Sequence, residues 1–221
     1  MSEELTVVCA AYRRYRRIHV LVHSFLCQTL DNWKLRILHD GPDERMAAEL
    51  APYVEGPAPV ELCCTERRFD DYGYSLRERG LREADTEFVM FTNDDNYYAP
   101  KFLEYMFGAI RAGDLDFVLC NMIHSPHNPG EYKQDDYHVF DSYPRLNYVD
   151  IGNFIVRRRC ALQVGFEDKS FGADGIFVER LMDAFNVRSF IPGWPAEPRA
   201  ARPGHEALRV GKVDRVLFVH N

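Results

Sequence analysis

Phe88-Val89-Met90-Phe91-Thr92-Asn93-Asp94-Asp95-Asn96-Tyr97-Tyr98-Ala99-Pro100 is an apolar run that ends abruptly in two adjacent carboxylates flanked by amides. An apolar run of this length bounded by polar turn residues reads as a buried strand. Two carboxylates side by side at its carboxyl end repel each other and favour protonation unless a cation or donor group compensates them. Oxygen ligands of Asp and Asn suit Mg²⁺ or Mn²⁺, ions that keep open positions for phosphate oxygens. The same residues also fit a polar turn leading to a helix, with Asn96 as an N-cap ahead of Pro100. On this stretch alone both readings stand.

Working outward, the preceding residues alternate strand and helix. Leu5 to Ala10 reads as a buried strand, and Ile18, Leu21, Val22, Phe25, Leu26 and Leu30 recur at helical spacing. Lys34 to Leu38 forms the next strand and ends in His39-Asp40-Gly41-Pro42, after which Asp43-Glu44 starts a helix burying Met46 and Leu50. A strand at Val60 to Cys64 and a weak helix from Tyr74 to Ala84 lead into the opening stretch. This order predicts an α/β fold, a mostly parallel sheet covered by helices on both faces. Ligands on such sheets bind beyond the carboxyl ends of the strands. Tyr12, Asp40 and the Asp94/Asp95 pair are therefore expected on one rim. For Asp40, a turn residue ahead of Gly41-Pro42 is the plainer alternative.

Beyond Pro100, Phe102, Leu103, Met106, Phe107 and Ile110 define an amphipathic helix, and Phe117 to Cys120 a further strand. Periodicity then fails from His124 to Tyr148, a stretch of Pro, Gly, Asn, Asp and tyrosine expected to be a functional or mobile loop. Asn153 to Val156 resumes as a strand, followed by a short helix to Gly165. Phe171-Gly172-Ala173-Asp174-Gly175 puts Asp174 near the start of another helix, where an N-cap role is the simple expectation. Pro192 to Arg209 reads as a loop or lid, and Val216 to Val219 as a final strand ending in His220, either a surface residue or a metal ligand.

Composition narrows the function classes. The chain has 221 residues, 13% aromatics and a net charge of -7, which suits one domain with a sizeable core and gives no general attraction for nucleic acid. The cluster Arg13-Arg14-Tyr15-Arg16-Arg17 is local. No apolar run reaches membrane-spanning length and the first residues are acidic, so a cytoplasmic protein is expected. Six cysteines without CxxC spacing are expected as free thiols, not zinc ligands.

Together these motifs resemble the family 2 glycosyltransferases, which use nucleotide-sugars and have the GT-A (Rossmann-like) fold. The resemblance rests on Val7-Val8-Cys9-Ala10-Ala11-Tyr12-Arg13-Arg14 before a helix ending at Gln28-Thr29, on Ile37-Leu38-His39-Asp40-Gly41, and on Gly73 through Leu81 ahead of the carboxylates. It covers most of the chain as a single GT-A domain, 1–100 the nucleotide-binding half and 101–221 the acceptor and catalytic half with a C-terminal loop. By resemblance, Ala10, Tyr12 and Asp40 contact the nucleotide base, where a carboxylate can accept from a ring N–H. Arg77 matches a family arginine and is expected at the diphosphate or paired with an acid, whereas Glu78 stands where the family has Asn. The Asp-x-Asp motif of the family aligns with Asn93-Asp94-Asp95, implying Asp94 on the ribose and Asp95 on Mn²⁺ or Mg²⁺.

The resemblance further implies His220 as a second metal ligand, with His205 the competing histidine, and Asp174 as catalytic base. The stretch Asp150-Ile151-Gly152-Asn153-Phe154 lines the donor sugar and acceptor in this reading. The implied function is inverting, metal-dependent transfer from a UDP-sugar or similar donor to a saccharide or other hydroxyl acceptor, in polysaccharide or glycoconjugate synthesis. The alternatives are a non-catalytic nucleotide-sugar-binding subunit and a nucleotidyltransferase. Tyr12-Arg13-Arg14-Tyr15 lacks the glycine-rich phosphate loop expected of the latter.

Overall fold

In the computed structural model, which describes residues 4–124, 137–194 and 202–220, the elements run β1 (Leu5–Ala11), α1 (Ile18–Leu26), β2 (Trp33–His39), α2 (Glu44–Val54), β3 (Val60–Cys64), α3 (Tyr74–Glu83), β4 (Phe88–Asn93) and β5 (Tyr97–Tyr98). They continue as α4 (Phe102–Gly113), β6 (Phe117–His124), β7 (His138–Phe140), β8 (Phe154–Arg157), α5 (Arg158–Val164), α6 (Ala173–Ala184), β9 (Asn186–Ser189) and β10 (Ala207–His220). These strands make one ten-stranded sheet in the order β3-β2-β1-β4-β8-β6-β10-β5, with β7 on β6 and β9 on β10. Strands β1 to β4 are parallel throughout: β1 pairs in parallel with both β2 and β4, and β2 with β3. Strand β8 runs antiparallel between β4 and β6, which joins the two halves of the sheet. No helix among the described residues is long and apolar enough to cross a membrane.

The continuous apolar strands are explained by helices on both faces. Alternate side chains of β1 point to opposite faces. Val7 and Cys9 join a core with Ile18, Phe25, Met46 and Phe102, whereas Val8 and Ala10 join another with Leu76, Leu81, Phe154 and Phe177. The second core contains a run of packed rings, with Phe166 and Phe177 stacked at 4.4 Å and Phe91 edge-on to Phe166 at 4.8 Å. Cys9, Cys120 and Cys160 are buried and serve as small apolar side chains.

Several elements differ from expectation. Asn96 caps nothing: it is fully buried and donates its amide to Thr92 Oγ1 at 3.2 Å, while α4 starts from Lys101 without a side-chain cap. Tyr97–Tyr98, expected in a turn, forms a short strand on β10 because the Tyr98 ring is completely buried and its hydroxyl bonds Thr92 and the carbonyl of Gly152. Strand β10 starts at Ala207, not Val216. Its charged side chains hide the pattern, since Arg209 and Lys212 pair with Asp114 and Asp141 at the sheet surface. Of the aperiodic stretch after His124, residues 137–148 are described and contain β7, while 125–136 lie outside the described residues, as do 195–201 of the expected lid.

Helix α3 crosses the sheet at Gly80, where an added Cβ would lie 2.4 Å from a methyl group of buried Val8. Gly80→Ala should therefore lower unfolding free energy by about 1–3 kcal/mol despite the better helix propensity of alanine. Gly108 in α4 is exposed with open space around it, so Gly108→Ala should raise stability by roughly 0.5–1 kcal/mol. Chemical denaturation of the two variants checks the contrast, and equal effects would contradict the packing.

Candidate active site

Beyond the carboxyl ends of β1, β2 and β4 lies a cavity of about 1100 Å³. Ala10, Tyr12, Asp40, Arg77 and Asn93 line one part of it, Asp94 and Asp95 another, and Asp150, Asp174 and His220 a third. These predicted residues, with Ile151, thus border a single space, whereas Gly152, Asn153 and Phe154 of the expected sugar-lining stretch do not line it, Asn153 and Phe154 being fully buried in the fold. Those from the first half other than Arg77, which α3 carries, arrive by strand ends, because the parallel register puts the termini of β1, β2 and β4 side by side.

The Asp94 and Asp95 side chains are each 3% exposed, and their charge is compensated by the turn after β1. Asp94 accepts from the backbone N–H of Tyr12 at 3.0 Å and from Arg14 at 3.1 Å. Asp95 is held by Arg14 at 2.8 Å and Arg17 at 3.2 Å. Burial, and next the Asp95 charge, push the Asp94 carboxyl above its ordinary range, while Arg14 and the Tyr12 N–H pull it back. Nothing in the sequence pattern alone announced this pairing; only the proximity of an arginine run to a strand end hinted at it.

Asp40 is buried and accepts from the backbone N–H groups of Phe69 at 2.7 Å and Asp70 at 3.0 Å. It thus does more than close a turn: it holds the loop that forms the outer wall. A carboxylate has about four lone-pair sites, so two remain for a ligand. Over Tyr12, the Arg68 guanidinium sits 4.0 Å from the ring centre, and His39 stacks at 5.8 Å.

Arg77 is 2% exposed and bonds the carbonyl of Tyr72 and the side-chain oxygen of Asn93. The expected pairing with an acid is replaced by neutral acceptors, which orient the guanidinium without cancelling its charge. Asn93 is thereby accounted for in the first place as the group that aims Arg77. Glu78 lies outside the cavity: it accepts from the Phe166 N–H at 2.7 Å and pairs with Arg82 at 2.6 Å, tying α3 to the chain after α5. Its departure from the family pattern serves packing.

Asp174 is not the N-cap of α6, a position taken by Gly172; it sits in the first turn and accepts from the Gly175 N–H at 2.7 Å. Its own N–H donates to the Tyr74 hydroxyl at 3.1 Å, which anchors the helix start to α3. Burial, then the charge of Asp150, push its carboxyl up to about 7, against the opposing pull of the Gly175 N–H, Arg77 and His220. Asp150 is itself buried, accepting from Gly152 N at 2.8 Å and lying 3.5 Å from His220 Nε2.

His220 ends β10, in register with His124 on β6, which faces His138 on β7. The rings form a cross-strand row with centroids 4.6 Å and 5.7 Å apart. His220 Nδ1 is buried without a partner. His205 instead bonds the Ala184 carbonyl at 2.9 Å on an exposed turn and does not line the cavity. Among the described residues no three His, Cys, Asp or Glu side chains are arranged to hold a metal ion.

The sequence profile described as glycosyl transferase family 2 matches residues 6–169. A Bacillus subtilis (strain 168) protein named as glycosyltransferase EpsH is 25% identical over 153 residues, covering 66% of this chain and 41% of its own length. Among solved structures, S. aureus TarS 1-349 in complex with UDP aligns with a TM-score of 0.67 at 16% identity, over 98% of this chain and 60% of that one. The mannosyltransferase PcManGT from Pyrobaculum calidifontis, in complex with GDP-Man and Mn²⁺, aligns with a TM-score of 0.67 at 14% identity, over 100% and 57%. These likenesses establish the GT-A fold. The chain spans about two fifths of the curated relative and three fifths of these solved chains.

Because the folded chain keeps the Asp174 proton up to about 7 while an exposed Asp releases it near 3.8, the contribution of this group to stability falls as pH rises through that window. Carboxyl NMR should find Asp174 titrating near 7, and Asp150→Asn should lower that midpoint by removing the like charge. A midpoint unmoved by Asp150→Asn would disprove the coupling.

Proposed function

This chain belongs to glycosyl transferase family 2, and we propose that it moves a sugar from a nucleoside-diphosphate sugar to an acceptor hydroxyl, with inversion and with a divalent ion held at Asp95. One observation carries the reading. Groups suited to a base and a diphosphate share one cavity with a carboxyl poised near neutral pH.

Asp40 and Tyr12 receive the base, Asp40 accepting a ring N–H and thereby favouring a uracil-type edge. Asp94 accepts from the ribose, and Arg77, whose charge has no carboxylate partner, faces the diphosphate. The residues present supply part of a cation's ligand set, which the diphosphate oxygens would complete. Asp95 offers hard oxygens, its current partners are the half-exposed Arg14 and Arg17 side chains that solvent can receive, and His220 Nδ1 is buried and unpartnered on the same cavity. Mn²⁺ or Mg²⁺ bound there supplies positive charge opposite the departing diphosphate.

Asp174 accepts the proton of the acceptor hydroxyl as its oxygen bonds to the anomeric carbon and the bond to the diphosphate oxygen breaks. With an ordinary carboxyl this transfer is strongly uphill; a value near 7 makes Asp174 a better base, and Asp150 sustains that value. Tyr72 and Phe171 are exposed on the cavity rim with rings edge to face at 5.7 Å, a surface suited to the apolar faces of an acceptor sugar. In this reading residues up to about 100 hold the donor and those beyond it the acceptor, in polysaccharide or glycoconjugate synthesis.

Asp95→Ala should remove metal-dependent turnover; undiminished activity would place the ion elsewhere. Asp174→Asn should keep donor binding, measured by calorimetry, while kcat falls by about 10²–10⁴. For the wild type, kcat/KM should rise with pH through about 7, as the base loses its proton, and an acidic limb near the ordinary carboxylate range would remove Asp174 from this role. The anomeric configuration of the product, read by NMR, decides inversion.

A further inference from the structure

The arginine run noticed in the sequence is only partly used by the site above, since Arg13 and Arg16 touch neither carboxylate. Between β1 and α1 this run folds with Arg45 of α2 around a second cavity, of about 290 Å³, lined by Arg13, Arg14, Tyr15, Arg16, Arg17 and Arg45. Five arginines therefore border one shallow surface hollow with no acidic residue in its lining, in a chain whose net charge is -7. Overall basicity does not explain that concentration.

Neighbouring acids are already engaged. Asp43 accepts from the Tyr15 hydroxyl at 2.8 Å and from the Met46 N–H at the start of α2. Glu49 is divided between His19 at 3.1 Å and Arg45 at 3.8 Å. Asp94 and Asp95 are engaged by Arg14 and Arg17 from the other cavity. Helix α1 begins here with neither a side-chain cap nor an acid in its first turn, so its positive end adds to the field. The turn is also held in shape. Arg13 has a left-handed backbone, φ 56°, pinned by its N–H on His39 Nε2 at 3.2 Å, and Arg45 lies 4.1 Å over the Tyr15 ring. Non-glycine residues with positive φ are uncommon and concentrate at ligand clamps.

We propose that the Arg13–Arg17 turn and Arg45 form a binding site for a phosphate monoester group, separate from the base and diphosphate positions of the main cavity. Guanidinium forks match phosphate oxygens in pairs, and a dianion meets the local charge better than a single carboxylate. Arg14 lines both cavities, so the two sites are coupled. A phosphate in the smaller one draws Arg14 and Arg17 off Asp94 and Asp95 and frees those carboxylates toward the main cavity. By reciprocity, removing the Asp95 charge strengthens phosphate binding.

The test is calorimetric titration of inorganic phosphate into the full chain, its Asp95→Asn variant and an Arg16→Gln/Arg45→Gln variant, whose altered side chains are exposed. Saturable binding that weakens roughly tenfold in the double variant and tightens in Asp95→Asn supports the site. Absent binding, or equal affinity in the double variant, overturns it, and unchanged affinity in Asp95→Asn overturns the coupling. Flotation with phosphatidic acid vesicles separates the sources. Retention that depends on Arg16 and Arg45 assigns a lipid headgroup, and phosphate binding without retention assigns a soluble phosphate ester. No donor or turnover enters these measurements, and UDP affinity unchanged in the double variant keeps this site distinct from the transfer reaction.

Discussion

Two buried carboxylates on consecutive residues are the constraint around which the rest of the structure is arranged. Asp94 and Asp95 leave the sheet at the end of β4, out of bulk water, and burial together with the adjacent Asp95 charge raises the cost of ionising Asp94. Their compensation comes from the neighbouring strand: the Tyr12 N–H and the Arg14 and Arg17 side chains. The turn after β1 therefore cannot be an arbitrary connection. It must place a backbone donor and two cations against the end of β4, which the parallel register of these strands makes possible.

The same logic divides the cavity electrically. Near β4, Arg77 keeps an uncancelled charge because neutral oxygens orient it, and Asn93 is one of them. An aspartate at that position would pair with Arg77 and diminish its field for an anionic ligand. Across the cavity the balance reverses, with Asp174 shielded from water beside the buried Asp150 and only partly relieved by Arg77 and His220. One wall thus suits an anion and the other a group able to hold or take a proton near pH 7, which is the separation of roles that sugar transfer to a hydroxyl needs. The scaffold beneath is apolar and tightly packed, with α3 and α6 bearing Arg77 and Asp174 on the same core.

Legibility followed periodicity. Helices α1, α2, α3 and α4 and strands β1 to β4 were readable because their apolar residues repeat over long stretches, and Asp40 and Asp94 could be placed on a rim because strand ends share an edge. Short or charged elements escaped. Strand β5 exists because a single tyrosine is buried, and the first half of β10 is masked by arginine and lysine side chains that find acids from distant segments. Asp174 and Asn96 looked like helix caps because cap residues and buried polar residues are the same residue types; burial tells them apart, and burial is not local.

What the chain determined by itself, then, is the order of elements, the two-sided covering of the sheet and the family, since each rests on patterns a few residues long. Tertiary structure decided which arginines meet Asp94 and Asp95, that Asn93 aims Arg77, that Glu78 belongs to packing, and that Asp150 lies near enough to Asp174 to shift its proton. These are interactions between groups 16 to 88 residues apart, or between charges whose strength depends on the water excluded around them. Neither the distance nor the dielectric is written in a local pattern, and both appear only when the sheet closes against its helices.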